Sequence, residues 1–84
     1  MRRASTEQAL LKRISTTREI CGGRPCVRGH RVMVEQVLGL LAAGILPREI
    51  TMKWFPTLTL QDVYACVAFA NRFVRNGELT VSHR

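Results

Sequence analysis

The sequence has few acidic residues and no long apolar segment. Its 84 residues contain six Asp and Glu against 13 Lys and Arg, and the carboxylates are scattered rather than paired on one face. A catalytic pair of carboxylates is therefore not predicted. No apolar run approaches the roughly 18 residues that would span a bilayer, and no apolar signal-peptide core follows the N-terminal arginines. We therefore expect a cytoplasmic protein.

The sequence also lacks the motifs of nucleophilic catalysis and phosphate binding. No serine lies in a Gly-x-Ser-x-Gly turn, and no cysteine has a recognisable histidine and Asn or Asp partner. The pair Gly22-Gly23 is not followed by Gly-Lys-Ser/Thr, so it is not a phosphate-binding loop. We predict that the protein is not an enzyme and uses no cofactor.

Cysteines are few and odd in number, and two of the three stand in the arginine-rich stretch CGGRPCVRGHR. This number, without a secretory signal, argues against a disulfide framework. Cys21, Cys26 and His30 have the spacing C-x4-C-x3-H, which supplies three of the four ligands that structural zinc needs. Cys66 is a poor fourth ligand, because it falls within a helical apolar pattern. We predict that the thiols pack beneath a tight turn and bind no metal.

Positive charge is concentrated near the N-terminus. Eight of the 13 basic residues and only two of the six acidic residues lie in residues 1–31. Such a basic region is typical of proteins that bind polyanions, and a solvated charged face would have the same composition. In contrast, no Lys or Arg lies between Phe55 and Asn71.

The N-terminal third predicts a short helix and a β element. Ser5 and Gln8 have capping-box spacing, which favours a helix up to about Arg13. Residues 14–17 and 31–34 are extended in character, so we expect two short strands joined by the glycine-rich turn.

Three further helices are predicted after this element. Apolar residues recur at helical spacing from Val34 onward and predict a first helix there. Gly44 is expected to end this helix, because glycine readily adopts the left-handed conformation just past a helix end. Pro47 favours the first turn of a second helix through Trp54, although Leu46 before it has no capping oxygen.

The last of these helices has the clearest start. Thr59 is the expected N-cap, Asp62 completes a capping box, and Asn76-Gly77 ends the helix. The predicted core-facing stripe is Leu60, Val63, Val67, Ala70 and Val74, widened by Cys66 and Phe73.

These elements predict a mostly α, three-helix helix-turn-helix domain with a short N-terminal β element. The predicted organisation is an N-terminal extension (1–12), the helix-turn-helix domain (13–75) and a C-terminal tail (76–84). If DNA is bound, phosphate contacts are expected from five basic residues, Arg24, Arg28, Arg31, Arg48 and Lys53. Base contacts are expected from Thr57, Thr59 and Gln61.

Three blocks carry a resemblance to a known family. ICGGRPCVRGHRV, VEQVLGLLAAGILPREI and FPTLTLQDVYACVAFA occur in that order, and together they make the chain similar to the prokaryotic domain-of-unknown-function family 433 over about residues 13–75. The resemblance implies a homeodomain-like helix-turn-helix fold and an antitoxin of a VapBC-like pair, encoded beside a PIN-like ribonuclease toxin. It also implies that Cys21 and Cys26 are structural. His30 and Leu46 depart from the family pattern, which usually has threonine and serine there.

We therefore predict an antitoxin of a type II toxin–antitoxin pair that binds operator DNA, represses its own operon and neutralises its cognate toxin. The alternative is a protein-interaction module that does not bind DNA. A small core favours a homodimer in either case, and the β element is the expected contact.

Overall fold

A computed structural model describes residues 3–77 of the chain. The elements are α1 (Arg3–Leu11), β1 (Ile14–Ser15), a 3-10 turn (Cys21–Gly23), β2 (Cys26–Val27), α2 (Val34–Ala42), α3 (Pro47–Glu49, continued by a π-helical turn over Ile50–Trp54) and α4 (Leu60–Arg75). The predicted mostly helical class with a short β element is confirmed. None of the helices in residues 3–77 is both long and apolar enough to cross a membrane.

The β element differs from the prediction in which residues pair. β1 pairs antiparallel with β2, with Ile14 opposite Val27 and Ser15 opposite Cys26. The predicted partner segment, 31–34, contributes only a single bridge between Met33 and the other side of Cys26. The prediction placed residues 26–27 in the turn because Gly and Pro surround them. They instead form β2, which pairs with β1 on one side and is bridged by Met33 on the other.

Local signals determine how α2 and α3 end and begin. Gly44 has φ of 92° and follows α2, where the Ile45 N–H donates to the Leu40 carbonyl at 3.0 Å. This is the Schellman hydrogen bond that the glycine favours. Leu46 has no capping side chain, but the Glu49 carboxylate accepts from its N–H at 3.3 Å. Glu49 thus supplies the second half of a capping box, while no side chain of Leu46 accepts from the N–H groups of the first turn of α3.

The start of α4 is as predicted, but its buried face is not. The Thr59 hydroxyl accepts from the Asp62 N–H at 3.2 Å, and the Thr59 N–H donates to the Asp62 carboxylate at 2.9 Å. The predicted core stripe is wrong at Leu60, Val67 and Val74, which are 41%, 45% and 58% exposed, and at Phe73, which was expected to widen it and is 43% exposed. Apolar residues occupy most of the circumference of α4, so periodicity alone selects the wrong face.

Contacts from the N-terminal residues explain which face of α4 is buried. α1 packs along α4, and the Arg75 guanidinium donates to Glu7 at 2.9 Å. α1 begins at Arg3, ahead of the Ser5 expected to cap it. Just after α1, the Arg13 guanidinium donates to the buried Asp62 carboxylate at 3.1 Å. Helix α1, which lies in the segment that the sequence assigns to an extension, therefore packs against α4.

The core lies between the β element and the three helices that follow it. Its buried members are Ile14, Val27, Val34, Val37, Ile50, Leu58, Val63, Ala65 and Cys66. Cys66 is fully buried, as predicted for a small hydrophobic residue. This core fixes the basic turn after β2 next to the start of α4.

Candidate functional site

The cysteine-rich turn has the geometry of a structural element. Cys26 is fully buried and Cys21 is half-buried. Burial, and then the neighbouring Cys21 thiol, raises the pKa of Cys26, and burial raises the pKa of Cys66 to about 12. Within residues 3–77, no group of three or more His, Cys, Asp or Glu residues is placed to hold a metal ion. Protonated thiols are poor zinc ligands and poor nucleophiles.

Two of the predicted phosphate-binding arginines contact the protein itself. Arg24 Nη1 lies 2.9 Å from both carboxylate oxygens of Glu35, at the start of α2. The Arg28 guanidinium donates to the backbone carbonyls of Lys12 and Ile14 at 2.8 and 3.0 Å. Arg28 therefore joins the turn after β2 to the segment before β1, and Arg24 forms an exposed ion pair of small energy.

A second group of predicted residues is brought together by the fold. Nδ1 of His30 and the hydroxyl of Thr57 lie 3.4 Å apart, which places the turn after β2 beside the start of α4. Arg31 is exposed in that turn, and Gln61 is exposed on the first turn of α4. The Thr59 hydroxyl is occupied by capping. Arg31 and Gln61 are therefore the candidates for contact with a nucleic acid at this place.

The remaining predicted cations lie on another element. Arg48 and Lys53 are exposed on α3 and its π-helical turn. Like Arg31, they form no ion pair with any residue that the structure describes. Of the five predicted phosphate-binding residues, two therefore contact the protein itself, and the other three form no ion pair with a described residue. The first two are Arg24 and Arg28, and the other three are Arg31, Arg48 and Lys53.

An apolar groove between α2 and α4 was not foreseen from the sequence. The groove has a volume of about 410 Å³ and is lined by Pro25, Val34, Glu35, Leu38, Phe69, Ala70, Phe73 and Val74. The rings of Phe69 and Phe73 are stacked, with centroids 6.5 Å apart. We call this surface the α2–α4 groove. Glu35 is its only charged residue, so it suits apolar side chains of a partner.

Exposed apolar side chains extend beyond this groove. Eight large ones are at least 41% exposed among the described residues: Leu46, Met52, Trp54, Leu60, Tyr64, Val67, Phe73 and Val74. Trp, Tyr and Met are enriched in protein interfaces. The sequence contains a signal for this surface, since α4 has more apolar residues than one buried face can hold.

A family model described as "Protein of unknown function (DUF433)" matches residues 14–70. No curated protein and no solved structure matches the chain. The match begins at β1, includes the cysteine-rich turn, α2 and α3, and ends within α4, so it covers every element that forms the core. The chain therefore belongs to the DUF433 family.

Proposed function

We propose that this protein is the antitoxin of a type II toxin–antitoxin pair and neutralises a PIN-like ribonuclease toxin by binding it. The resemblance described above motivates this class of function. The observation that carries the protein-binding part is the α2–α4 groove, an apolar surface that residues 3–77 leave uncovered.

The groove has the chemistry of a protein-binding site. Leu38 forms its α2 side and Phe73, which is 43% exposed, its α4 side. An apolar side chain from a partner would remove both from water without leaving a buried charge unpaired, because Glu35 lies at the exposed start of α2. A few buried aromatic contacts of this kind supply most of the binding energy in an interface.

Replacing Phe73 with aspartate should weaken toxin binding at least about tenfold, since truncating a central interface aromatic commonly costs more than 1 kcal/mol. The measurement is titration calorimetry with the ribonuclease encoded by the neighbouring gene, together with growth rescue when both are co-expressed. Helix content by circular dichroism checks that the variant is folded.

The matched control is Leu46→Asp, which places the same charge at an apolar position that is 61% exposed and outside the groove. It should bind the toxin as the unmodified protein does. A neighbouring gene product that is not bound by the unmodified protein would contradict the proposal. Equal toxin binding by Phe73→Asp and Leu46→Asp would show that the groove is not the toxin-binding surface.

A second part of the proposal is DNA binding, in which α3 and α4 act as a homeodomain-like helix-turn-helix. The hydrogen bond between His30 and Thr57 favours it, because this contact brings the turn that carries the exposed Arg31 to Thr57, three residues before α4 begins. Gln61 on the first turn of α4 could then reach base edges while Arg31 contacts a phosphate. Arg48 and Lys53 add positive charge on α3.

Replacing Arg31 with alanine should weaken binding to all duplexes alike and reduce the salt dependence by about one unit of slope. Gln61→Ala should change preference among sequences instead. Arg24→Ala is the control, because Arg24 is already paired with Glu35. Fluorescence anisotropy with the upstream DNA and a scrambled duplex across a salt series measures all three. Negligible binding of both duplexes at low salt would exclude DNA binding. The alternative, a protein-interaction module that does not bind DNA, would then remain.

A further inference from the structure

The side of α4 that faces the core continues beyond the core. In the first half of the helix this side holds Ala65 and Cys66, which are both fully buried. Phe69 and then Phe73 follow on the same side, because residues three or four apart share a face of a helix. Phe69 is partly buried against the core, and Phe73 is 43% exposed. The described residues therefore cover only part of this side in the last turns of α4.

The stacked rings of Phe69 and Phe73 separate two depressions of different chemistry. One is the apolar α2–α4 groove. The other has a volume of about 190 Å³ and is lined by the same two rings together with Arg72 and Asn76, and we call it the Arg72 pocket. Arg72 precedes Phe73 and Val74 follows it, so the pocket and the groove lie to either side of the ring.

The charged groups beside the two depressions differ in whether they are paired. Glu35 of the groove lies 2.9 Å from the guanidinium of Arg24. Arg75, one turn below the pocket, is paired with Glu7 at 2.9 Å. Arg72 is exposed and forms no ion pair with any residue in the described range 3–77. The pocket therefore offers a positive charge to a partner, whereas the charge of the groove is already balanced.

An arginine beside an aromatic pair suits a carboxylate of a protein better than a phosphate of a nucleic acid. The guanidinium can donate two parallel hydrogen bonds to one carboxylate, and the Asn76 amide at the same pocket is a further donor. A nucleic acid backbone would place further phosphates over the apolar groove, where no cation balances them. A protein segment can carry an apolar and an acidic side chain next to each other.

We propose that the Phe69–Phe73 surface binds a segment of the partner protein in which an apolar side chain stands beside an aspartate or glutamate. The apolar side chain enters the α2–α4 groove, and the carboxylate pairs with Arg72. This inference rests on the proposed function and adds the chemistry of the toxin segment that is bound. It makes Arg72 and Phe73 neighbouring anchors of one interface, a combination that is common where binding energy is concentrated.

Replacing Arg72 with glutamate should weaken toxin binding at least about tenfold, because two carboxylates then face each other. Arg72→Lys should lose less, since it keeps the charge and lacks only the planar fork. Added salt should weaken binding by the unmodified protein and have a smaller effect on Arg72→Glu. Titration calorimetry with the ribonuclease encoded by the neighbouring gene measures all three. Lysine at one acidic residue of the toxin should restore binding to Arg72→Glu, which also shows that this variant is folded.

Arg18→Glu is the matched control, because it makes the same change of charge at an exposed arginine outside both depressions. It should bind the toxin like the unmodified protein. Equal toxin binding by Arg72→Glu and Arg18→Glu would overturn the inference alone. Weaker binding of the upstream duplex by Arg72→Glu, with toxin binding unchanged, would overturn it and assign Arg72 to DNA. An unmodified protein that does not bind the toxin would overturn the proposed function as well.

Discussion

Replacing Ile50 with alanine should lower the free energy of unfolding by about 2–5 kcal/mol, the usual range for removing a fully buried isoleucine side chain. Ile50 is 0% exposed, and it is the only buried residue among those of α3 and its π-helical turn. Its side chain therefore attaches this whole segment to the core. In a domain of this size, each kcal/mol corresponds to about 4–8 °C in Tm, so we expect Tm to fall by about 8 °C or more.

The control for this prediction lies two residues further along the same segment. Met52 is 68% exposed, so Met52→Ala should change stability by no more than about 0.5 kcal/mol. Thermal unfolding followed by circular dichroism compares the two variants, and hydrogen exchange shows whether α3 opens first in Ile50→Ala. Equal Tm shifts for the two variants would mean that α3 is not held by the Ile50 side chain.

The helix ends could be predicted from the sequence because their signals are local. Gly44, Pro47 and Thr59 each act on the backbone within a few residues, and the structure begins or ends helices beside each of them. The burial of Cys66 followed from the same kind of pattern. These features need no knowledge of what lies on the other side of the molecule.

The features that the sequence did not predict depend on distant partners. Residues 26–27 form a strand only because β1 pairs with them and Met33 bridges their other side. Arg28 looks like a phosphate ligand in the sequence, but the fold brings the carbonyls of Lys12 and Ile14 to its guanidinium. No local pattern reports such contacts.

The same reasoning applies to the candidate interfaces on α4. The sequence shows that α4 has apolar residues on more than one face, and it cannot show which face α1 and α2 cover. The structure decides this, with Ala65 and Cys66 buried and Val67 exposed. The α2–α4 groove is an apolar surface that the described part of the chain leaves uncovered beside that choice.

Replacing Asp62 with alanine should lower the free energy of unfolding by about 2–3 kcal/mol, because a carboxylate that accepts two hydrogen bonds is lost. Asp62 is only 6% exposed and joins two parts of the chain that are 49 residues apart. One carboxylate oxygen accepts from the Thr59 N–H and caps α4, and the other accepts from the Arg13 guanidinium. Both contacts are absent in the alanine variant.

Asp62→Asn separates these two contributions. The asparagine oxygen can still cap the helix through the Thr59 N–H, but the attraction between opposite charges is gone. Since the Arg13 side chain is 44% exposed, water replaces much of its lost partner, and we expect a loss of about 1 kcal/mol or less for this variant. Urea unfolding should therefore rank stability as unmodified protein, Asp62→Asn, then Asp62→Ala, with the exposed neighbour Gln61→Ala close to the unmodified protein. If Asp62→Asn were as unstable as Asp62→Ala, the ion pair with Arg13 rather than the helix cap would be the main stabilising contact at the start of α4.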